Sequence, residues 1–225
     1  MMMPVKRLAS ADQLSVIDSI VSQSSFTDGK ITAGVINQPL KNNLQLEAGE
    51  AAIADELFKV VSKAVETQPL ARLAAMPARM TLPIISKYES GMGYEWHIDN
   101  AIMPSRGGPI RTDVACTIFL SDPAAYDGGE LRIRTTAGEN TVKLERGDGF
   151  FYPASTRHCV DKVTRGERLA IVFWIQSMIA EPAQREMLYD LQLAHDRVKQ
   201  ENPDSEALQI IQRTQANLIR LWSQF

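Results

Sequence analysis

The sequence predicts an α+β chain that is mainly β, with a sandwich or barrel-like jelly roll at its centre and helices before and after it. Three observations carry this. From Met80 to about Met178, eight short apolar, β-branched runs alternate with Gly, Asp and Pro punctuation at near-regular spacing. On either side of that stretch, apolar residues recur at helical spacing instead. The composition, 44% hydrophobic and 23% charged over 225 residues, is that of a globular chain able to bury a core without staples. The expected organisation is an N-terminal helical flank over 1–79, a β-core over 80–178 and a C-terminal helical extension over 179–225.

Taken in order, Ser10-Ala-Asp-Gln13 can cap a first helix with Leu14, Ile17, Ile20 and Val21 on one face. Asp28-Gly29 marks a turn. A second helix is expected from about Glu47 to Thr67, with Ala52, Leu57, Val60, Val61 and Ala64 on its apolar side. Pro69 opens a third, short one running through Leu73 to Met76. The strand candidates are Met80–Tyr88, Tyr94–Asp99, Asp113–Leu120, Glu130–Thr135, Asn140–Leu144, Gly149–Tyr152, His158–Val163 and Arg168–Gln176. Pro83 makes the first an edge or an interrupted strand. Turns are supplied by Tyr126-Asp-Gly-Gly129, Ala137-Gly-Glu139, Arg146-Gly-Asp-Gly149 and Thr164-Arg-Gly166. A helix over about Pro182 to Gln200 and another restarting at Pro203-Asp-Ser-Glu206 form a hairpin, which either packs on its own β-domain or serves as a dimer surface.

The net charge of −3 suggests neither a nucleic-acid groove nor a basic membrane face. No apolar run reaches the length of a membrane span, and no apolar segment of a leader type follows Lys6 and Arg7. Cys116 and Cys159 match no ligand spacing and read as reduced, buried thiols, so a cytoplasmic location is expected.

The chemistry gathers in Tyr88-Glu-Ser-Gly-Met-Gly-Tyr-Glu-Trp-His-Ile-Asp99. On a strand, residues two apart share a face, so His97 and Asp99 would project together. His158 can add a third donor from a strand across the barrel. Two imidazoles and a carboxylate make the facial triad of non-haem iron, which leaves coordination positions open. Glu95 shares the face by alternation but sits farther along, outside the ligand set. The third histidine, His195, lies on a polar helix and should face solvent. Arg168 opens the most apolar strand, on the same face as Ala170, Val172 and Trp174. A guanidinium aimed into a barrel is costly unless it meets an anion, and a carboxylate fits its planar fork.

The pattern Tyr88-x-x-Gly91-x-x-Tyr94-x-x-His97-x-Asp99, followed by Gly128-Gly129-Glu130-Leu131, Gly147-Asp148, His158 and Arg168, resembles the Fe(II)/2-oxoglutarate-dependent dioxygenases of the prolyl-4-hydroxylase-like class. Within it the chain is similar to the bacterial PKHD-type hydroxylases. Asp99-Asn100, Arg111-Thr112-Asp113, Tyr126-Asp-Gly-Gly-Glu-Leu131 and Phe173-Trp-Ile-Gln-Ser177 share that likeness. The resemblance implies a double-stranded β-helix (jelly-roll) core, with Fe(II) on His97, Asp99 and His158. It implies 2-oxoglutarate with its distal carboxylate on Arg168, helped by Tyr88. Dioxygen would be the second co-substrate, and L-ascorbate would re-reduce the iron. The reaction implied is hydroxylation of a substrate with conversion of 2-oxoglutarate to succinate. Proline-hydroxylating relatives usually carry lysine at the position of Arg168, which weakens the case for peptidyl proline. A siderophore-like small molecule or a peptidyl residue remains as substrate class.

Tyr94, Asn100, Arg106 and Trp174 are candidate substrate contacts; Tyr94 and Trp174 read equally as core aromatics. The Gly- and Pro-bearing stretch Ala101–Ile110 reads as a lid or as loop filler, and Arg111 and Asp113 could pair with each other. Two competing readings are a cupin-like metalloenzyme that does not use 2-oxoglutarate and a non-catalytic iron or 2-oxoglutarate sensor. Cupins tend to offer His-x-His and a later Glu, which this chain lacks; a sensor has no need of all three ligands.

Overall fold

The computed structural model describes residues 1–47 and 51–224. Its strands form two larger antiparallel sheets and one small hairpin. The first sheet runs β1 (Met3–Val5), β13 (Gly149–Pro153), β10 (Val114–Phe119), β15 (Arg168–Ser177), β6 (Ile84–Tyr88), β4 (Leu44–Leu46) and β2 (Phe26–Asp28), with β5 (Pro77–Met80) pairing beside the end of β15. The second runs β12 (Gly138–Val142), β11 (Leu131–Thr135), β14 (Arg157–Val160), β7 (Gly93–His97) and β3 (Lys41–Asn42). The hairpin joins β8 (Ile102–Met103) to β9 (Ile110–Arg111).

Period-two patterning decides which face of the first sheet meets what. Leu169, Ile171, Phe173 and Ile175 of β15 point outward. They pack with Val114, Cys116 and Ile118 of β10 against α1 (Ala11–Gln23), α2 (Ala51–Thr67) and α3 (Pro69–Ala75), through Ile17, Ile20, Leu57, Val61 and Ala71. On the inner face, Ala115, Phe119, Phe150 and Tyr152 meet Leu131, Ile133 and Val142 of the second sheet. The helices therefore back one sheet, and the site lies between the two.

Several elements match the sequence closely. Ser10 caps α1, and Gln13 returns the bond to its backbone, a full capping box. The second helix, expected from about Glu47, is seen from Ala51; Glu47 itself is not helical, and residues 48–50 lie outside the described residues. The Met80–Tyr88 run is interrupted: β5 ends at Met80 and β6 begins at Ile84, beyond Pro83. Other elements differ. The N-terminal flank is not purely helical, because β1 to β4 extend both sheets. The helices hold more residues than the strands, so the fold is mixed α and β rather than mainly β. The stretch after Asn100 is a small hairpin rather than filler.

At the C-terminus, α4 (Pro182–Glu201) and α5 (Glu206–Trp222) fold back on the chain. Leu188 is fully buried with Met76 and Ile179, and Leu218, Ile219 and Trp222 pack on that cluster. Buried Arg185 donates to the carbonyls of Ile179 and Ala180 at 2.7 and 2.8 Å. His195 does not face solvent. It is buried between the helices, with Nδ1 3.0 Å from Asp196 Oδ1 and Nε2 3.1 Å from the Gln212 amide. Helical spacing alone misplaced it, because the face that meets α5 is itself polar.

Candidate metal and co-substrate site

His97 and His158 sit directly opposite each other on neighbouring strands β7 and β14. The third donor thus comes from the adjacent strand, not from across the barrel. Their rings are 4.3 Å apart between centroids. Asp99, two residues past His97 and just beyond the strand, places Oδ1 3.9 Å from His97 Nε2 and 3.7 Å from His158 Nε2. Each imidazole is oriented the same way. Nδ1 lies against the backbone carbonyl two residues earlier, at 2.7 Å from Glu95 for His97 and 2.9 Å from Thr156 for His158. An Nδ1–H donated to a carbonyl leaves the Nε2 lone pair free, the state a metal needs.

A bulge shapes this strand. Between the pairs His158↔His97 and Val160↔Tyr94, β7 carries one residue more than β14. The extra residue reverses the alternation. Tyr94 shares the inner face with His97, its ring stacked 3.5 Å from the imidazole, while Glu95 is exposed. The expectation that Glu95 shares the ligand face fails for that reason. Trp96 turns to the outer surface, under Arg132, Arg134 and Arg157.

The electrostatics suit a cation. Burial is the main cause of a low His97 pKa, about 3, with His158 adding to it, so the ring is neutral. Burial raises Asp99, and the charge of His158 and the Trp174 indole oppose the rise. Asp99 Oδ2 and Trp174 Nε1 are both buried without a hydrogen-bond partner within range. A buried carboxylate oxygen lacking a donor, beside two free imidazole lone pairs, fits a divalent metal. All three ligand atoms lie within 4.8 Å of one another.

Arg168 begins β15, opposite Tyr88 on β6, and is 1% exposed. Its guanidinium lies 5.2 Å from the Tyr88 ring and 5.4 Å from the Phe119 ring, and no acid pairs with it among the described residues. Arg168 Nε is buried without a partner, as is the Tyr126 hydroxyl, which faces it. Gly129 makes room for this arrangement: a Cβ there would stand 3.0 Å from Arg168 Cδ. An unpaired, buried guanidinium in a cavity wall, with a phenol beside it, fits a carboxylate.

One cavity joins these groups. Its walls include Tyr88, Tyr94, Asn100, Tyr152, Trp174 and Lys41, with the triad and Arg168, around an empty volume of about 740 Å³, its open mouth included. Tyr88, Tyr94, Asn100 and Trp174 are thus brought to the site. Arg106 is not: it pairs with Asp55 of α2 and lies 4.5 Å over the Phe58 ring, beside an adjoining hollow. Arg111 and Asp113 bond to each other, at 2.6 and 3.0 Å. The sequence reading missed Lys41 and Tyr126. Lys41 is 7% exposed, lies opposite Tyr94 in the β3–β7 pairing and holds its Nζ 5.4 Å from the Tyr94 ring. Burial lowers its pKa to about 8, against the pull of Asp99.

Residues 83–176 match the model of the 2OG-Fe(II) oxygenase superfamily. Over its whole length the chain is 39% identical to a PKHD-type hydroxylase of a Synechococcus species (strain JA-2-3B'a(2-13)), covering all of both proteins. Among solved structures, it resembles a prolyl hydroxylase of Trichoplax adhaerens in complex with a hypoxia inducible factor peptide fragment (TM-score 0.57, 16% identity, 77% of this chain and 82% of that one). It also resembles HygX of Streptomyces hygroscopicus with nickel, 2-oxoglutarate and hygromycin B bound (TM-score 0.51, 11% identity, 80% and 84% covered).

Proposed function

The chain belongs to the PKHD-type hydroxylases of the 2OG-Fe(II) oxygenase superfamily, and on that premise we propose that His97, Asp99 and His158 hold the ferrous ion of a 2-oxoglutarate-dependent hydroxylase and that Arg168 holds the co-substrate. The observation that carries this assignment is the convergence of two Nε2 atoms and one unpartnered carboxylate oxygen in a cavity whose wall also holds an unpaired guanidinium. When bound, Fe(II), 2-oxoglutarate and dioxygen supply the oxidant for C–H hydroxylation, with succinate and carbon dioxide as the co-products.

The chain's own residues bind, orient and shield. The Glu95 and Thr156 carbonyls fix the two imidazoles with Nε2 inward. A divalent charge beside Asp99 would offset the burial that raises its pKa and keep it ionised. Arg168 would take the distal carboxylate of 2-oxoglutarate through its fork, with Tyr88 and Tyr126 beside it. Trp174 would wall the cavity beside Asp99. L-ascorbate would keep the iron ferrous. The two facing sheets support a double-stranded β-helix core over 80–178, flanked on both sides. Two buried free thiols, Cys116 and Cys159, support a cytoplasmic location. No helix of the described residues is long and apolar enough to cross a membrane. The primary substrate is a small molecule or a peptidyl residue.

The assignment is tested by adding Fe(II) and 2-oxoglutarate without oxygen. A visible metal-to-ligand charge-transfer band is expected in the wild type and lost in His97→Ala. Admission of air should then release succinate. No band in the wild type overturns the assignment.

A further inference from the structure

We propose that Lys41 is the residue that recognises the primary substrate and that it does so through an acidic group, so that the substrate is a small carboxylic acid. This rests on the assignment of Arg168 to 2-oxoglutarate and of the triad to iron.

Three observations carry it. The first is burial: Lys41 is 7% exposed and its side chain lines the cavity that holds the triad. The second is hydrogen bonding. Among the described residues the ammonium has one acceptor, the Thr32 hydroxyl at 2.9 Å, which in turn donates to Gln45 Oε1 at 2.7 Å. An ammonium has three protons to donate, so most of its capacity is left facing the cavity. The third is charge. Among the described residues, Lys41, Asp99 and Arg168 are the lysine, arginine and acidic side chains that line the cavity. A ferrous ion with Asp99, and the two carboxylates of 2-oxoglutarate with Arg168, add up to no net charge. Lys41 is then left as one buried positive charge in the cavity wall, which is costly unless the substrate brings its counter-ion. Exposed Asp28, outside the lining, acts on it less than Asp99 does.

Position decides between substrate and co-substrate as the owner of that acid. Arg168 lies on the first sheet, at the start of β15 and opposite Tyr88, in the cavity wall. Lys41 lies on the edge strand of the second sheet, opposite Tyr94, whose ring stacks on His97. An acid held there sets the neighbouring carbons of its molecule over the metal side of the cavity. Tyr94, in contact with both Lys41 and His97, borders the acid and the reacting end.

The test uses the iron-loaded protein with 2-oxoglutarate and a bacterial metabolite extract separated by anion exchange into acidic, neutral and basic fractions. Succinate release above the substrate-free rate, and a product heavier by one oxygen atom, are expected from the acidic fraction. Once that acid is identified, the wild type should prefer it at least thirtyfold over its primary amide in kcat/KM, the low end of what losing one partner of a buried charge pair costs. Lys41→Gln should raise KM for the acid by a similar factor, change kcat less, and show no preference between acid and amide. Lys41→Arg should retain the preference. Without oxygen, the acid should shift the charge-transfer band of the wild type at concentrations thirtyfold below those Lys41→Gln requires. Thermal melting of both variants checks that they fold. Turnover of a neutral or basic compound, a preference that survives in Lys41→Gln, or a charge-transfer band with no fraction turned over would each overturn the proposal. Absence of the band itself condemns the iron and 2-oxoglutarate assignment on which it stands.

Discussion

Arg168 is enclosed without an acid to meet it, and that sets what its removal should do. Losing one member of a buried charge pair costs roughly 3–5 kcal/mol, so Arg168→Met should weaken 2-oxoglutarate binding by a factor of about 100 or more. The free protein should keep or gain thermal stability, because an unsatisfied guanidinium is replaced by an apolar chain of similar length. Anaerobic titration of the charge-transfer band and a melting curve read the two effects; a loss under tenfold would contradict the assignment. Lys41 carries a pH prediction. Its folded pKa, about 8, lies below the unfolded value of 10.5, so the unfolded chain binds more protons between those limits and stability rises with pH there. The rise attributable to Lys41 is on the order of 3 kcal/mol at most. Buried Tyr88 and half-buried Tyr94, with raised pKa values, pull the other way above pH 10. Urea unfolding at pH 8 and 9.5 should therefore show a gain in the wild type that Lys41→Met lacks. The triad and Arg168 were legible in the sequence because their chemistry is rare and their spacing fits a strand. Lys41 was not, since a lysine in a polar segment reads as solvated until a partner strand turns it inward.

Among the elements, the Tyr126–Glu130 turn supports the co-substrate end of the cavity, and its two glycines are needed for different reasons. Gly128 and Gly129 both have positive φ, at +72° and +68°. A Cβ on Gly128 would fall 2.1 Å from the Lys162 carbonyl oxygen, which is backbone and cannot step aside. Gly91, at φ +88°, has nothing within 4 Å of its would-be Cβ. Gly91→Ala should cost about 1 kcal/mol and Gly128→Ala about 2 kcal/mol more, measured by denaturant unfolding. Gly129→Ala should instead act on function, raising the Kd for 2-oxoglutarate about tenfold as Arg168 Cδ is displaced. Equal stability losses at Gly91 and Gly128 would refute the steric argument. The long strands were readable from period-two patterning, as in Arg168–Ser177. The two- and three-residue strands before residue 47 were not, because so few residues hold no period. The bulge in β7 was hidden as well: an inserted residue leaves no mark in composition, and only the mismatch with β14 shows it.

At the scale of the molecule, the C-terminal hairpin is tied to the core at several points. Ile179 bridges to Ser223, Gln224 N–H donates to the Met178 carbonyl, and Leu188 is buried against Met76. Leu188→Ala should lower global stability by about 2–4 kcal/mol within one cooperative transition. A separate early melting step would show the hairpin to be an independent appendage. Its existence was plain from helical periodicity; its attachment was not, since that depends on buried polar groups such as Arg185 and His195 that periodicity assigns to solvent. The bulge, finally, bears on how such a chain can drift. Straightening β7 without shortening it would give an unbroken pleat and a more regular ladder, but Tyr94 and His97, three residues apart, would then face opposite sides, and with Tyr94 kept in the cavity the imidazole would turn away from it. A lineage selected for robustness alone would be drawn to that tidier form, so the irregularity survives only while its product is needed.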